Sequence, residues 1–503
     1  MKLSGRREKP AQRSTLDDRL HAIFNDKRTP GAPSALYDYV REISMSRPSE
    51  GPAWYRRIWD GLGRPARSAA LVATVVAIVA GGLGLTVVLP RGADTEAGAS
   101  ASASATAQPS LNADLATPAI RATPTIAAKP AIAIAAGGDG ACALLIGGTV
   151  ECWGFNSLGS LGDGTRTDSS TPVAVSGLSG VSDITAGDSH FCALLSGGTV
   201  ECWGQNFFGQ LGDGKNLTDA LGRRVSYSST PVAVSRLSGV NGIAAGSDHT
   251  CAVLSGGSVE CWGASDRGQL GIGNPSLGNG VDTDRPYPVG VWGLSGVSAI
   301  VAGASAVSAG GFDTCALLSG GTVKCWGANE MGQLGNGTKT EADLPLAVSG
   351  ISGVSAVTVA FDHTCVLLSG GTVECWGGNN AHQLGDGSTT DSSTPVALSG
   401  LSGVSAFSAG GDHTCALLSA GAVVCWGQSR GELNNQSGPP ISDSSTPVAV
   451  SGLSGVTAIS AGGDYTCALL SGGAVECWGS NSFGQLGNGT ETDSSSPVSV
   501  SGL

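Results

Sequence analysis

Charge and aromatic rings are scarce in this sequence: charged residues make up 13% and aromatic residues 5% of its 503 positions, and only three are methionine. Set against 79 glycines, that scarcity argues against an ordinary helical enzyme and for a turn-rich β architecture. Catalytic signatures are missing as well. No Gly-rich phosphate loop ending in Lys occurs, no His-Glu-x-x-His and no Gly-x-Ser-x-Gly, which leaves P-loop, zinc-protease and α/β-hydrolase chemistry without their residues. No cofactor or metal site is expected, and the chain is read as non-catalytic.

The net charge of -13 hides an asymmetry. Residues 1–67 hold 14 Lys+Arg against 8 Asp+Glu, a net of +6, so the remainder holds 13 against 32, a net of -19. The acidic balance disfavours nucleic acid as a partner. Between the two parts lies "SAALVATVVAIVAGGLGLTVVLP", residues 68–90, without one charge. At about 1.5 Å per residue this stretch spans a bilayer core as a helix, and it sits too far into the chain for a signal peptide. Arg56, Arg57, Arg64 and Arg67 crowd its amino-terminal side, which places residues 1–67 in the cytoplasm and the rest outside. Residues 1–67 are expected to be a basic segment, partly helical or disordered, able to meet a cytoplasmic partner or the membrane surface, as in some bacterial transmembrane regulators. Residues 91–130, rich in Ala, Ser, Thr and Pro, read as an extended linker.

From residue 131 to 503 one unit of about 50 residues recurs seven times, each copy holding four strand candidates such as "SAFSAGG", "CALL", "TVECW" and "TPVAV". That period points to an all-β, seven-bladed propeller. Every copy carries two cysteines ten residues apart: Cys142 and Cys152, Cys192 and Cys202, Cys251 and Cys261, Cys315 and Cys325, Cys365 and Cys375, Cys415 and Cys425, Cys467 and Cys477. In the first copy a three-residue turn, Ile146-Gly147-Gly148, with Gly148 in the left-handed region, sets Cys142 directly opposite Cys152 at about 4.5 to 5.5 Å between Cα atoms. Disulfides are the preferred reading and suit an oxidising compartment; buried free thiols are the alternative, and zinc or redox roles are disfavoured by the spacing. Alternation puts Cys142, Leu144, Val150 and Cys152 on one face and Ala143, Leu145 and Trp153 on the other, so the hairpin is apolar on both sides, as a blade between two neighbours must be. The last strand could pair beside the first copy, or each copy could complete its own blade.

"GGDHTCALLS", "CWGQNFFGQLGDG" and "CWGSNSFGQLGNG" resemble the repeat of the regulator of chromosome condensation family over residues 131–503. The resemblance implies a seven-bladed propeller. It also brings two regulatory analogies, nucleotide exchange on a small GTPase and inhibition of an enzyme by covering its active site, neither transferable residue by residue. Departures are "GELNNQSGPP" in the sixth copy, the inserted "NPSLGNGVDTDRPYPV" in the third and "GASAVSA" in the fourth; they are expected to distort loops.

His190, His249, His363 and His413 occupy the repeated turn before the first cysteine, where a bond to local backbone is expected, and His382 stands alone in a loop. Asp139, Asp248, Asp362, Asp412 and Asp464 share the position three before that cysteine, with Asp188 and Asp313 close to it. They read as turn caps, or as an acidic rim for a cationic partner. Loops such as "DGTRTD" (163–168) lack the full calcium pattern and read as polar turns. The variable loops, 216–227, 274–287 and 428–441, are where a rigid disc would read a partner. Arg223, Arg224, Tyr227, Arg285, Tyr287 and Trp292 supply the anchor types enriched at interfaces. The expected function is a membrane-tethered extracellular recognition module for a protein or cell-wall ligand. The rival is a single-pass sensor acting through residues 1–67.

Overall fold

A computed structural model describes residues 129–215, 227–273, 284–298, 307–309, 311–398, 400–428 and 443–503. The segment 1–67, the span at 68–90 and the linker up to residue 128 lie outside the described residues. Among the described residues no helix is long and apolar enough to cross a membrane.

The described chain forms seven antiparallel sheets of four strands, each ordered as in sequence. In blade 1 these are β1 (Ala131–Ala136), β2 (Gly140–Leu145), β3 (Val150–Gly154) and β4 (Ser169–Ala174). Blades 2 to 7 span residues 181–233, 240–290, 307–347, 354–397, 404–449 and 456–499. Of the first strand of blade 4 the described residues are Val307–Ala309, which pair with Thr314–Ala316.

The hairpin that carries the cysteines follows from its turn. Gly148 has φ +77°, its N–H bonds the Leu145 carbonyl at 3.0 Å, and the register runs Leu144 to Val150, Ala143 to Glu151 and Cys142 to Cys152. All seven pairs are joined as disulfides: Cys142 to Cys152, Cys192 to Cys202, Cys251 to Cys261, Cys315 to Cys325, Cys365 to Cys375, Cys415 to Cys425 and Cys467 to Cys477. Their Cα atoms stand 4.0 to 4.1 Å apart, which corrects the wider separation expected of opposed residues, because the bridge draws the two strands together. No described cysteine is left as a free thiol.

The two faces of the hairpin then pack unlike surfaces together. The cystine face of blade 1 (Cys142, Leu144, Val150, Cys152) buries Phe191, Ala193 and Trp203 of blade 2. The same apposition of one blade's cystine with the next blade's tryptophan recurs at all seven junctions, the last setting Cys467 and Cys477 of blade 7 against Trp153 of blade 1. The core is therefore seven interfaces between blades, not a single centre.

The ring closes without a shared sheet. Blade 7's last strand, Ser494–Ser499, pairs with Val475–Gly479 of its own blade, and β1 pairs with β2. Blade 7 grips blade 1 with the contacts found at the other junctions: Trp153 Nε1 donates to the Gln485 carbonyl at 2.9 Å, as Trp203 does to that of Ser160 and Trp262 to that of Gln210. The glycine after Gln-Leu is forced by this contact. Gly487 has φ +66°, and a Cβ there would lie 2.8 Å from Trp153 Nε1. On the outside each fourth strand carries a proline, Pro172 in β4, which removes a donor from the exposed edge and blunts it against pairing with other chains.

Candidate functional site

The repeated polar positions settle first, because most are used to hold blades together. The asparagine of Trp-Gly-x-Asn organises the loop that follows: Asn156 Oδ1 accepts from Leu161 N at 2.9 Å, and its Nδ2 donates to the Thr167 carbonyl at 3.0 Å and Thr165 Oγ1 at 3.2 Å. The oxygens of "DGTRTD" are consumed the same way, Asp163 Oδ1 accepting from Thr165 N at 2.8 Å and Asp168 Oδ1 from Asn156 N at 2.6 Å. Among the described residues no group of three or more His, Cys, Asp or Glu is placed to hold a metal ion.

The buried histidines bond elsewhere than expected. His190, His249, His363 and His413 reach not the local backbone but the next blade, with Nε2 2.8 to 2.9 Å from the hydroxyls of Thr250, Thr314, Thr414 and Thr466. The side chain is simply long enough to cross the gap between adjacent second strands. Thr250 spends its own proton on the Gln210 carbonyl, 3.0 Å away, so it can only accept from His190, whose Nε2 must carry the hydrogen. Burial disfavours the imidazolium and lowers these groups to about 3 for His190, His249 and His363 and about 4 for His413. Two junctions depart from the pattern together. Blade 1 has Gly140 and Ala141 in place of His and Thr; across one junction Phe191 fills the space, and across the other Tyr465 Oη reaches past the missing threonine to the Gly140 carbonyl at 2.6 Å. His382, the odd histidine, occupies a glycine position of the repeat at φ +62°, with Nδ1 2.8 Å from the Ser388 carbonyl.

The aspartates do line one end of the ring. Their turns hydrogen-bond from blade to blade, Gly138 N to the Asp188 carbonyl at 3.1 Å and Gly463 N to that of Gly137 at 3.1 Å. Asp248 Oδ1 accepts from Gln205 and Gln210 of the preceding blade at 3.0 and 3.1 Å, so the rim works as an inter-blade brace. Asp313 does not belong to it. That residue stands at the histidine position, fully buried with neither carboxyl oxygen hydrogen-bonded, while Phe312 takes the rim position and packs edge-on to Phe361. Burial, with the charge of Asp362 adding to it, holds Asp313 well above the ordinary carboxylate range.

The remaining candidates sit on the outer strands of blades 2 and 3. Arg223 and Arg224 lie outside the described residues, as do positions 216–226, 274–283 and 429–442 of the variable loops. Tyr227 opens the outer strand of blade 2, and its ring lies 4.6 Å from the Arg166 guanidinium of blade 1. Arg285 opens that of blade 3, donating to the Asp284 carbonyl at 3.0 Å. Tyr287 lies 5.1 Å below Arg236 of blade 2, and Trp292 is 70% exposed. The structure thus sets Tyr227 and Tyr287 at successive junctions, each under an arginine that reading by loops had missed. Arg236 was legible as a departure from the repeat, since it replaces a glycine, whereas Arg166 stands at a position that varies among the copies.

Two models described as the regulator of chromosome condensation (RCC1) repeat match the chain, one at residues 148–194, 198–253, 320–367, 371–417 and 473–503, the other at 181–210, 240–269, 304–333, 404–436 and 456–485. Together they cover more than half of it. The chain belongs to the RCC1 repeat family. It is 31% identical over 220 residues to the ultraviolet-B receptor UVR8 of Arabidopsis thaliana, covering 43% of this chain and 46% of that one, so it spans about half that relative's length. It is 27% identical to human E3 ubiquitin-protein ligase HERC2 over 222 residues, 43% of this chain and 4% of the ligase. Among solved structures, human WBSCR16 superposes with a TM-score of 0.60 at 23% identity, covering 70% of this chain and 94% of that one. Prp20p of Saccharomyces cerevisiae, whose structure was described with its binding to Gsp1p and histones, gives 0.55 at 22%, covering 67% and 82%. At these identities both show the fold alone.

Proposed function

We propose that this protein is a non-catalytic recognition module, a propeller held outside the membrane by the apolar stretch 68–90 and binding a protein or cell-wall ligand through blades 2 and 3. The observation that carries the reading is the pairing of all fourteen cysteines within blades, which suits an oxidising space and agrees with the charge bias around the stretch. The interaction role is an analogy with Prp20p, whose structure was described with its binding to Gsp1p and histones. Three experiments test it. Thiol titration of natively purified protein, unfolded without reductant so that buried sulfurs are reached, should find no reactive sulfhydryl, and protease added to intact cells should remove the propeller; fourteen free thiols or a protected propeller would refute the placement. Deleting residues 274–283, which stops short of the outer strand that opens at Arg285, should reduce ligand capture while the disc stays folded.

The net charge of +6 on residues 1–67 favours a second reading, a single-pass sensor that signals through that segment. It requires residues 1–67 to retain one specific cytoplasmic protein, and truncation to abolish a response. An exchange-factor-like or inhibitor-like action rests on family analogy.

A further inference from the structure

The rim of blades 2 to 4 departs from the repeat at adjoining places. After the fourth strand most blades turn on Ser-Gly, as at Ser176-Gly177, but blade 2 has Ser235-Arg236 and blade 3 has Trp292-Gly293. Within the fourth strand, the position of Thr171 and Thr230 becomes Tyr287 in blade 3 and Leu344 in blade 4. These residues are neighbours across the junctions. Arg236 of blade 2 lies over Tyr287 of blade 3, and a Cβ at Gly273 of blade 3 would stand 3.1 Å from Leu344 Cδ2 of blade 4, while within blade 3 Trp292 N bonds the Gly271 carbonyl at 2.9 Å. Leu346, two residues further along that strand, is 40% exposed.

Arg236 is held at φ +58°, a conformation that side chains disfavour, where Gly177 and Gly293 adopt +72° and +67°. Folding alone is better served by glycine there, so the arginine marks a site where strain is retained for another purpose. Charge agrees. Of ten Lys+Arg in residues 131–503, seven lie between 166 and 285, and none lies between 340 and 429. Against eleven Asp+Glu between 166 and 285 the net there is -4, and against seven between 340 and 429 it is -7, so an anionic partner is repelled less by blades 2 and 3 than by blades 5 and 6.

We propose that this rim is a docking strip for an acidic protein segment carrying an aromatic or branched aliphatic side chain, which deepens the recognition reading above and rests on it. A guanidinium stacked on a ring keeps its in-plane N–H fork for a carboxylate, so Arg236 takes the acid. Trp292, Tyr287 and Leu344 take the apolar side chain.

The test uses the full-length chain in detergent and a fluorescein-labelled peptide of Glu-Glu pairs alternating with Leu and Trp, read by anisotropy. Its Lys-for-Glu counterpart and an oligothymidine strand are the comparators. Arg236→Gly and Trp292→Ser each restore the residue of most other blades, so they should leave the thermal midpoint unchanged or raised. Each should weaken the acidic peptide by about tenfold. Equal or better binding of the lysine peptide or the oligothymidine, or reversions without effect on affinity, would overturn the proposal. Failure of the unmodified chain to bind the acidic peptide, with ligand capture still dependent on residues 274–283, would overturn the acidic class and leave the recognition reading standing.

Discussion

Acid should loosen this propeller, and the four buried histidines set the size of the effect. Their folded values, about 3 for three of them and about 4 for His413, lie below the ordinary 6.5. The unfolded chain therefore takes up four protons that the folded chain refuses, so stability is complete above pH 6.5 and falls as pH drops towards 3. Each histidine costs about 1.4 kcal/mol per pH unit over that window, so between pH 7 and pH 5 the four together remove roughly 8 kcal/mol. Buried acids work in the opposite sense. Burial raises Asp183 to about 6, so the folded state binds its proton first and regains about 1.4 kcal/mol by pH 5. Asp313, raised well above its ordinary value, adds to the offset by at most one proton. Asp168, Glu260 and Glu476 shift the same way, weakened by solvent screening. Four protons against two deeply buried acids leave stability falling by about 2 to 3 kcal/mol per unit between pH 6 and 5. Urea unfolding followed by tryptophan fluorescence at half-unit steps reads this directly, and His249→Leu should lower the slope by about one proton. A midpoint that holds steady or rises as pH falls from 7 to 5 would refute the reasoning.

Other outcomes follow from the junctions. Asp313→His should place an imidazole against Thr364, as at the other junctions, and raise the urea midpoint by removing a buried carboxyl without a hydrogen bond; a lower midpoint would count against that alignment. Tyr465→Phe removes the bond to the Gly140 carbonyl and should cost about 1 kcal/mol in urea titration. Gly487→Ala drives a Cβ onto Trp153 and should cost more than about 2 kcal/mol, with the loosened junction between blades 7 and 1 visible as faster amide exchange in β2 and β3. Replacing Cys251 and Cys261 together by Ala releases a loop closed over ten residues and should cost about 3 kcal/mol.

The local parts of this fold were open to inspection because their causes are local. The turn at Gly147-Gly148, the register that opposes Cys142 and Cys152, and the alternation that sends Trp153 to the other face all arise within about a dozen residues, where turn chemistry and the two-residue strand period leave few choices. Seven recurrences of that unit then required a ring. The histidines were misread for the complementary reason. The partner of His190 is 60 residues away and that of His249 is 65, a distance over which no periodicity reports, and only the packed ring brings one blade's histidine to the threonine of the next. Asp313 reads in the sequence only as a neighbour of the aspartate position, and the strand register shows that it stands where the other blades have histidine. The arginines over Tyr227 and Tyr287 escaped notice because a cation over a ring is a contact between blades.

By itself, then, the order of residues determined the blade: its four strands, its cystine and its two apolar faces, because each depends on neighbours along the chain. How blades meet was decided by the tertiary structure. Closure by seven like junctions, the threonine beneath each buried imidazole, and the gathering of Arg236, Tyr287, Trp292 and Leu344 on one rim exist only once segments some fifty residues apart are packed side by side, where shape and desolvation choose the partners.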